Sequence, residues 1–289
     1  MGAKALSRLH RLTEITTVDD LARLSLGEVN LTFAETRMCH WPDSMVSYLH
    51  EDQLLFSQDA FGMHLAGYER FADQVPTALL DREAARYYAN ILLPLSGFVA
   101  RAIKKLSDLD LPLKIIAPDH GPIWRDSPAT IVNQYARWAQ QHRTGKAVVV
   151  YDTMWQSTAA MARAIGEGLS AGGASAKLMP LGSCHRSDVA AEMLDAGALL
   201  VGSPTINNQM FPSVADLMCY LKGLKPKGLV AAAFGSYGWS GEAAKLLQSE
   251  LDAMGAETVS EAVSCLYKPD AETLARCRQL GITVAQRIR

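Results

Sequence analysis

The chain has 289 residues, 49% apolar and 20% charged, with a formal net charge of -2. That length suits two domains of ordinary size, and that composition suits packed globular cores. The charge balance offers no basic surface for nucleic acid or an anionic membrane, and no apolar run is long enough to span a bilayer. The stretch from Met1 to Leu12 carries Lys4, Arg8 and Arg11 without an apolar core, so it does not read as a secretory signal. The cysteines are scattered, with no C-x-x-C pair, which predicts neither a rubredoxin-like iron site nor a disulfide framework; a reducing, cytoplasmic setting is expected.

In chain order, residues 28–35 and 53–57 read as strands. Residues 81–106 place Tyr87, Tyr88, Ile91, Leu92, Leu95, Phe98, Val99 and Ile103 at helical spacing, with a kink expected at Pro94. Residues 114–117 read as a strand and 131–139 as a short helix. The polar stretch from His142 to Lys146 marks a boundary, which gives domains at 1–145 and 146–289. Beyond it, strands at 147–151, 174–179, 198–201, 229–234 and 258–263 alternate with helices at 159–169, 189–194, 213–221, 241–251 and 271–288. Ser187 and Asp188 are candidate caps for the second of these helices. The alternation predicts an α/β fold, a doubly wound parallel sheet, in which ligands bind beyond the carboxyl ends of the strands.

Three loops at those ends hold the candidate binding residues. The first, Thr153-Met154-Trp155-Gln156-Ser157-Thr158, has three hydroxyls and no lysine or arginine. It could hold a phosphate through Thr153, Ser157, Thr158, loop N–H groups and the helix N-terminus, or be a plain Ser/Thr helix start. It lacks the Gly-Lys-Ser/Thr ending of a P-loop. The second runs through Pro204, Thr205, Ile206 and Asn207, and the third through Ser236, Tyr237, Gly238 and Trp239. Trp155, Tyr237 and Trp239 could flank a flat ring system by stacking. In the first half, His40, Asp59 and His120 each follow an apolar strand, and imidazole with carboxylate suits iron, zinc or manganese. By spacing alone these three remain a weak metal signal. His64 reads as either a neighbour of that site or a hydrogen-bonded loop histidine, and Cys39 as a small buried filler.

The stretches Tyr-Asp-Thr-Met-Trp-Gln-Ser-Thr (151–158), Gly-Ser-Pro-Thr-Ile-Asn-Asn (202–208) and Gly-Ser-Tyr-Gly-Trp-Ser-Gly (235–241) closely resemble the flavodoxin domain of flavodiiron proteins. His-Trp-Pro-Asp-Ser (40–44), Phe-Ser-Gln-Asp-Ala-Phe-Gly (56–62), Tyr-Tyr-Ala-Asn-Ile-Leu (87–92) and Ala-Pro-Asp-His-Gly-Pro-Ile-Trp (117–124) resemble the metallo-β-lactamase-like domain of the same family. The resemblance implies FMN in the second domain and a diiron centre in the first, with His40 and His120 each on one iron and Asp59 bridging both. It implies an oxidoreductase that passes electrons from FMN to iron and reduces dioxygen to water, nitric oxide to nitrous oxide, or both. A rubredoxin or flavin reductase donor and a homodimer, or a dimer of dimers, are expected with it.

The sequence departs from the family in one place. The His-x-Glu-x-Asp cluster that supplies the other protein ligands to iron occurs nowhere in this chain. The expectation is therefore a partial metallo-β-lactamase-like domain at 1–145. Three accounts fit: a fragment of a longer enzyme, a degenerate protein that keeps its flavin function, or one half of a split site. The alternative to the reductase is an FMN-only, flavodoxin-like electron carrier without a working metal site.

Overall fold

The computed structural model describes residues 1–289 as two compact units, Met1–Gln140 and Gln141–Arg289. In the first, helix α1 (Gly2–His10) precedes a five-stranded sheet of β1 (Arg23–Ser25), β2 (Asn30–Glu35), β3 (Met45–Leu49), β4 (Leu54–Gln58) and β5 (Ile115–Pro118), in that spatial order. All neighbours are antiparallel except β4 and β5. Strands β1 and β3 lie outside the expected elements. Both are short, and β1 is exposed along its whole length, so neither offers a strong apolar alternation.

The predicted kinked helix at 81–106 is more broken than a kink. Helix α2 (Thr77–Tyr87) passes through a π-helical turn at Tyr88–Leu92 and a 3-10 turn at Leu93–Leu95 before α3 (Ser96–Asp108) begins. Pro94 has no N–H to donate and its ring collides with the carbonyl four residues back, so the α-ladder cannot continue through it. Helix α4 (Ala129–Ala139) follows β5. One sheet face is the core side, with Thr32, Ala34, Val46, Tyr48, Leu55, Ser57 and Ile116 buried. There Val46 meets Leu92, Val99, Ile103 and Tyr135 around a small cavity. On the other face Leu31, Phe33, Leu49 and Leu54 are half-buried and Phe56 is exposed.

The second unit follows the expected alternation. Its elements are β6 (Thr144–Tyr151), α5 (Ser157–Ala171), β7 (Ser175–Pro180), α6 (Arg186–Glu192), β8 (Ala196–Ile206), β9 (Gln209–Met210), α7 (Pro212–Leu224), β10 (Val230–Tyr237), α8 (Glu242–Ala253), β11 (Glu257–Thr258), β12 (Val263–Leu266) and α9 (Ala271–Arg287). The sheet runs β7-β6-β8-β10, with β11 and then β12 beside β10, and every one of these pairs is parallel. The order turns back on itself between β6 and β8, which makes the strand ends there the switch point of the sheet. Strands β6, β8 and β10 are buried on both faces, as expected for apolar runs covered by helices on each side.

Three boundaries differ from expectation. Gly202 to Ile206 is not loop: it prolongs β8 and turns back through Asn207 and Asn208, both at positive φ, into β9. Two consecutive positive-φ residues are what a tight hairpin turn requires, and asparagine tolerates them. Strand five is two short pieces, because only Glu257–Thr258 and Val263–Leu266 reach register with β10. The cap of α6 is His185, whose ring nitrogen accepts from the Ser187 N–H at 3.2 Å, while Asp188 accepts from the His185 N–H at 3.3 Å.

Candidate functional site

Strands β6, β8 and β10 end together, and a cavity of about 540 Å³ opens over them. Its walls include Met154, Trp155, Ser157, Pro204, Thr205, Ile206, Asn207, Ser236, Tyr237, Gly238 and Trp239. The three stretches singled out in the sequence therefore converge on one space. Two of the expected residues, Thr153 and Thr158, do not line it. Thr158 is fully buried in the first turn of α5, and its hydroxyl meets that of Ser236 at 3.0 Å. Thr153 holds a buried hydroxyl oxygen with no hydrogen-bond partner.

Local sequence explains the shape. Gln156 takes a left-handed φ of 64°, which turns the chain off β6 and starts α5 at Ser157. The first N–H groups of α5 lack intrahelical acceptors, and its dipole favours an anion at that end. Gly235 lets β10 approach β8: a Cβ there would stand 2.3 Å from the Ser203 carbonyl oxygen. Trp155 and Trp239 stand together in the wall, 84% and 88% exposed, and leave aromatic faces uncovered on the same cavity. The walls carry no carboxylate. These features fit FMN. An orphaned hydroxyl and free helix N–H groups await a phosphate, hydroxyls and amides await a ribityl chain, and uncovered aromatic faces await a flat ring.

Sequence reasoning missed two wall residues, Tyr267 and Lys268, just beyond β12. With strand five expected to end at residue 263, the loop that reaches the cavity lay beyond the three expected binding loops. The signal available was a lysine shortly after a fifth strand.

In the first unit the structure brings His40, Asp59 and His120 together. His120 Nε2 lies 3.0 Å from Asp59 Oδ1, and His40 Nε2 lies 3.4 Å from Asp59 Oδ2. One carboxylate thus faces two imidazoles, one oxygen to each. The Asp59 loop is fastened by Ser57 Oγ donating to the Ala60 carbonyl at 2.7 Å, Trp124 Nε1 to that of Phe61 at 2.9 Å, and Tyr135 OH to that of Gly62 at 3.2 Å. A Cβ at Gly62 would lie 2.6 Å from the His120 carbonyl oxygen, so the close approach of the Asp59 and His120 loops needs glycine there. The other ring nitrogen of His120 faces the Met63 carbonyl oxygen at 3.3 Å, the kind of outer contact that orients a metal-binding imidazole.

His64 lies beside His120 with ring centres 5.1 Å apart, and both pack on Tyr87. The Tyr87 hydroxyl is buried without a partner, and burial, reinforced by the Asp59 and Asp119 charges, pushes its ionisation well above the ordinary tyrosine range. Burial likewise pushes the Cys39 thiol up to about 11, so it stays protonated. No three His, Cys, Asp or Glu side chains are grouped as a metal ion would need. The cluster offers one bridging-type carboxylate and two imidazoles, which falls short of the donors that two iron ions require.

A doubly wound domain with a flavin-shaped cavity, joined in one chain to a unit with paired imidazoles across a carboxylate, defines a narrow class. A profile described as flavodoxin matches residues 149–281. The nitric oxide reductase of Moorella thermoacetica is 48% identical over 274 residues, covering 94% of this chain and 69% of that protein. Among solved structures, the rubredoxin oxygen:oxidoreductase of Desulfovibrio gigas superposes with a TM-score of 0.94 at 40% identity, covering 99% of this chain and 73% of that one. The flavodiiron protein of Giardia intestinalis superposes with a TM-score of 0.93 at 33% identity, covering 99% and 71%. The chain belongs to the flavodiiron protein family, an oxidoreductase family whose cofactors are FMN and a diiron centre. No helix is long and apolar enough to cross a membrane.

Proposed function

We propose that this chain binds FMN in the cavity over β6, β8 and β10 and serves as the flavin-bearing part of a reductase of dioxygen, nitric oxide, or both. The convergence of three loop segments on one cavity over the ends of β6, β8 and β10 carries the reading. FMN, when bound, supplies reversible one- and two-electron storage. The chain's own residues bind and orient it. Thr153, Ser157 and the first N–H groups of α5 take the phosphate. Thr158 works at one remove by holding the Ser236 hydroxyl. Thr205, Ile206, Asn207, Tyr237 and Gly238 meet the polar edge of the ring, while Trp155 and Trp239 cover its faces and exclude water. The names of the relatives favour a reductase over an FMN-only carrier. A rubredoxin or flavin reductase is the proposed donor, and a homodimer the proposed assembly.

His40, Asp59 and His120 are proposed as metal ligands. Their donor number does not fit two irons, so reduction of oxygen or nitric oxide needs donors beyond these three. Flavin and iron analysis of the purified chain tests both parts. The expected result is stoichiometric FMN with less than the iron of a full diiron site. A chain without flavin refutes the cavity assignment, and a full iron complement refutes the reading of an incomplete donor set.

A further inference from the structure

We propose that Lys268 governs the charge preference of the flavin cavity, stabilising the anionic form of reduced FMN; this rests on the FMN reading above. Lys268 is the one formally charged residue in the cavity wall, and no carboxylate pairs with it. Its backbone is held on both sides. The Tyr267 N–H donates to the Tyr237 carbonyl at 2.7 Å, and Tyr267 takes a left-handed φ of 56° that turns the chain toward the cavity. Pro269 is buried, and Asp270 caps α9 by accepting from the Thr273 N–H at 2.8 Å. The lysine is thus presented from a fixed turn.

Topology decides which part of the flavin it meets. The phosphate-binding end of the cavity lies at β6, and β6, β8, β10 and β12 are successive neighbours. Three strand spacings separate the β6 end from the β12 end, about 14 Å. A phosphate held by Thr153 and the N-terminus of α5 leaves the ring, not the phosphate, at the Lys268 end. Two electrons and one proton convert oxidised FMN to the monoanion FMNH⁻, whose added charge sits on the N1–C2 carbonyl edge. A nearby ammonium favours that product over the neutral oxidised ring. In turnover the one-electron donor protein supplies the electrons.

The test uses the full chain reconstituted with FMN, comparing wild type, Lys268→Met and Lys268→Arg. Fluorescence quenching gives the affinity for oxidised FMN, and spectroelectrochemistry gives the two-electron midpoint potential. Lys268→Met is expected to weaken reduced FMN about tenfold more than oxidised FMN, the size of effect expected of one charge at a partly exposed site. For a two-electron couple that is a potential lowered by about 30 mV. Lys268→Arg is expected to keep the wild-type potential, and added salt to shrink the difference. An unchanged potential in flavin-loaded Lys268→Met overturns the proposal. So does an equal loss of affinity for both redox forms, which would place the lysine at the phosphate. A wild-type chain that leaves FMN fluorescence unquenched overturns the flavin site itself, and this inference with it.

Discussion

Replacing Thr153 by valine should move stability and affinity in opposite directions. The Thr153 hydroxyl oxygen is buried and has no partner in the protein. An unpaired buried hydroxyl costs about 1–3 kcal/mol relative to a satisfied one. Valine keeps nearly the same volume and removes the unmet polar atom, so the flavin-free chain should gain about 1 kcal/mol. The same change removes a hydroxyl that would bond a phosphate oxygen, and a hydrogen bond to a charged group is worth about 1.5–3 kcal/mol. FMN affinity should therefore fall by roughly ten- to a hundredfold. Urea denaturation of the flavin-free chain measures the first effect, and FMN titration by fluorescence quenching the second. Excess FMN should then protect the wild type against urea more than the variant. An unaltered FMN dissociation constant in Thr153→Val would refute the phosphate role of this loop. A flavin-free variant less stable than wild type would show that the hydroxyl has a structural partner.

Two further outcomes follow from the same structure. Trp155→Ala and Trp239→Ala should leave flavin-free stability within about 0.5 kcal/mol, because both side chains are exposed. Each should weaken FMN by about 0.5–1.5 kcal/mol of lost stacking, read by the same titration, and unchanged affinity in both would remove the aromatic walls from the site. Burial pushes the Cys277 thiol up to about 12. The unfolded chain ionises this thiol near pH 8.5 and the folded chain does not, so the unfolded state alone gains from the lost proton. Stability should decline as pH rises from about 8.5 toward 12, and urea midpoints across that window should fall less steeply in Cys277→Ala. An equally steep fall in the variant would assign the alkaline loss to other groups.

Much of the second unit was legible because its strands are buried on both faces. Continuous apolar runs such as Ala147 to Tyr151 carry their own signal, and the Gly-, Ser- and Asn-containing stretches mark the strand ends. The binding residues were legible for the same reason, since strand ends of a doubly wound sheet fix where a ligand sits. The fifth strand was misplaced because register with β10 is a tertiary property: pairing stops after Thr258, apart from the Val259 N–H on the Ala231 carbonyl, and resumes only at Val263. Tyr267 and Lys268 were lost with it. In the first unit, β3 depends on antiparallel pairing with β2 and β4, while the break across Tyr88–Leu95 was legible only as the kink expected at Pro94.

The sequence by itself determined the class of fold, the strand ends that carry the candidate binding loops and the chemical types at both candidate sites, because each follows from local periodicity and from short motifs. Only the tertiary structure decided which hydroxyl faces a partner and which is left without one: Thr158 meets Ser236, while Thr153, five positions earlier in the same segment, has none. Only it set the carboxylate of Asp59 between two imidazoles from distant loops, His120, 61 positions along the chain from Asp59, at one oxygen and His40 at the other. The physical reason is common to both. Hydrogen-bond partnership and ligand convergence are set by distances across strands, and distance along the chain carries no record of them.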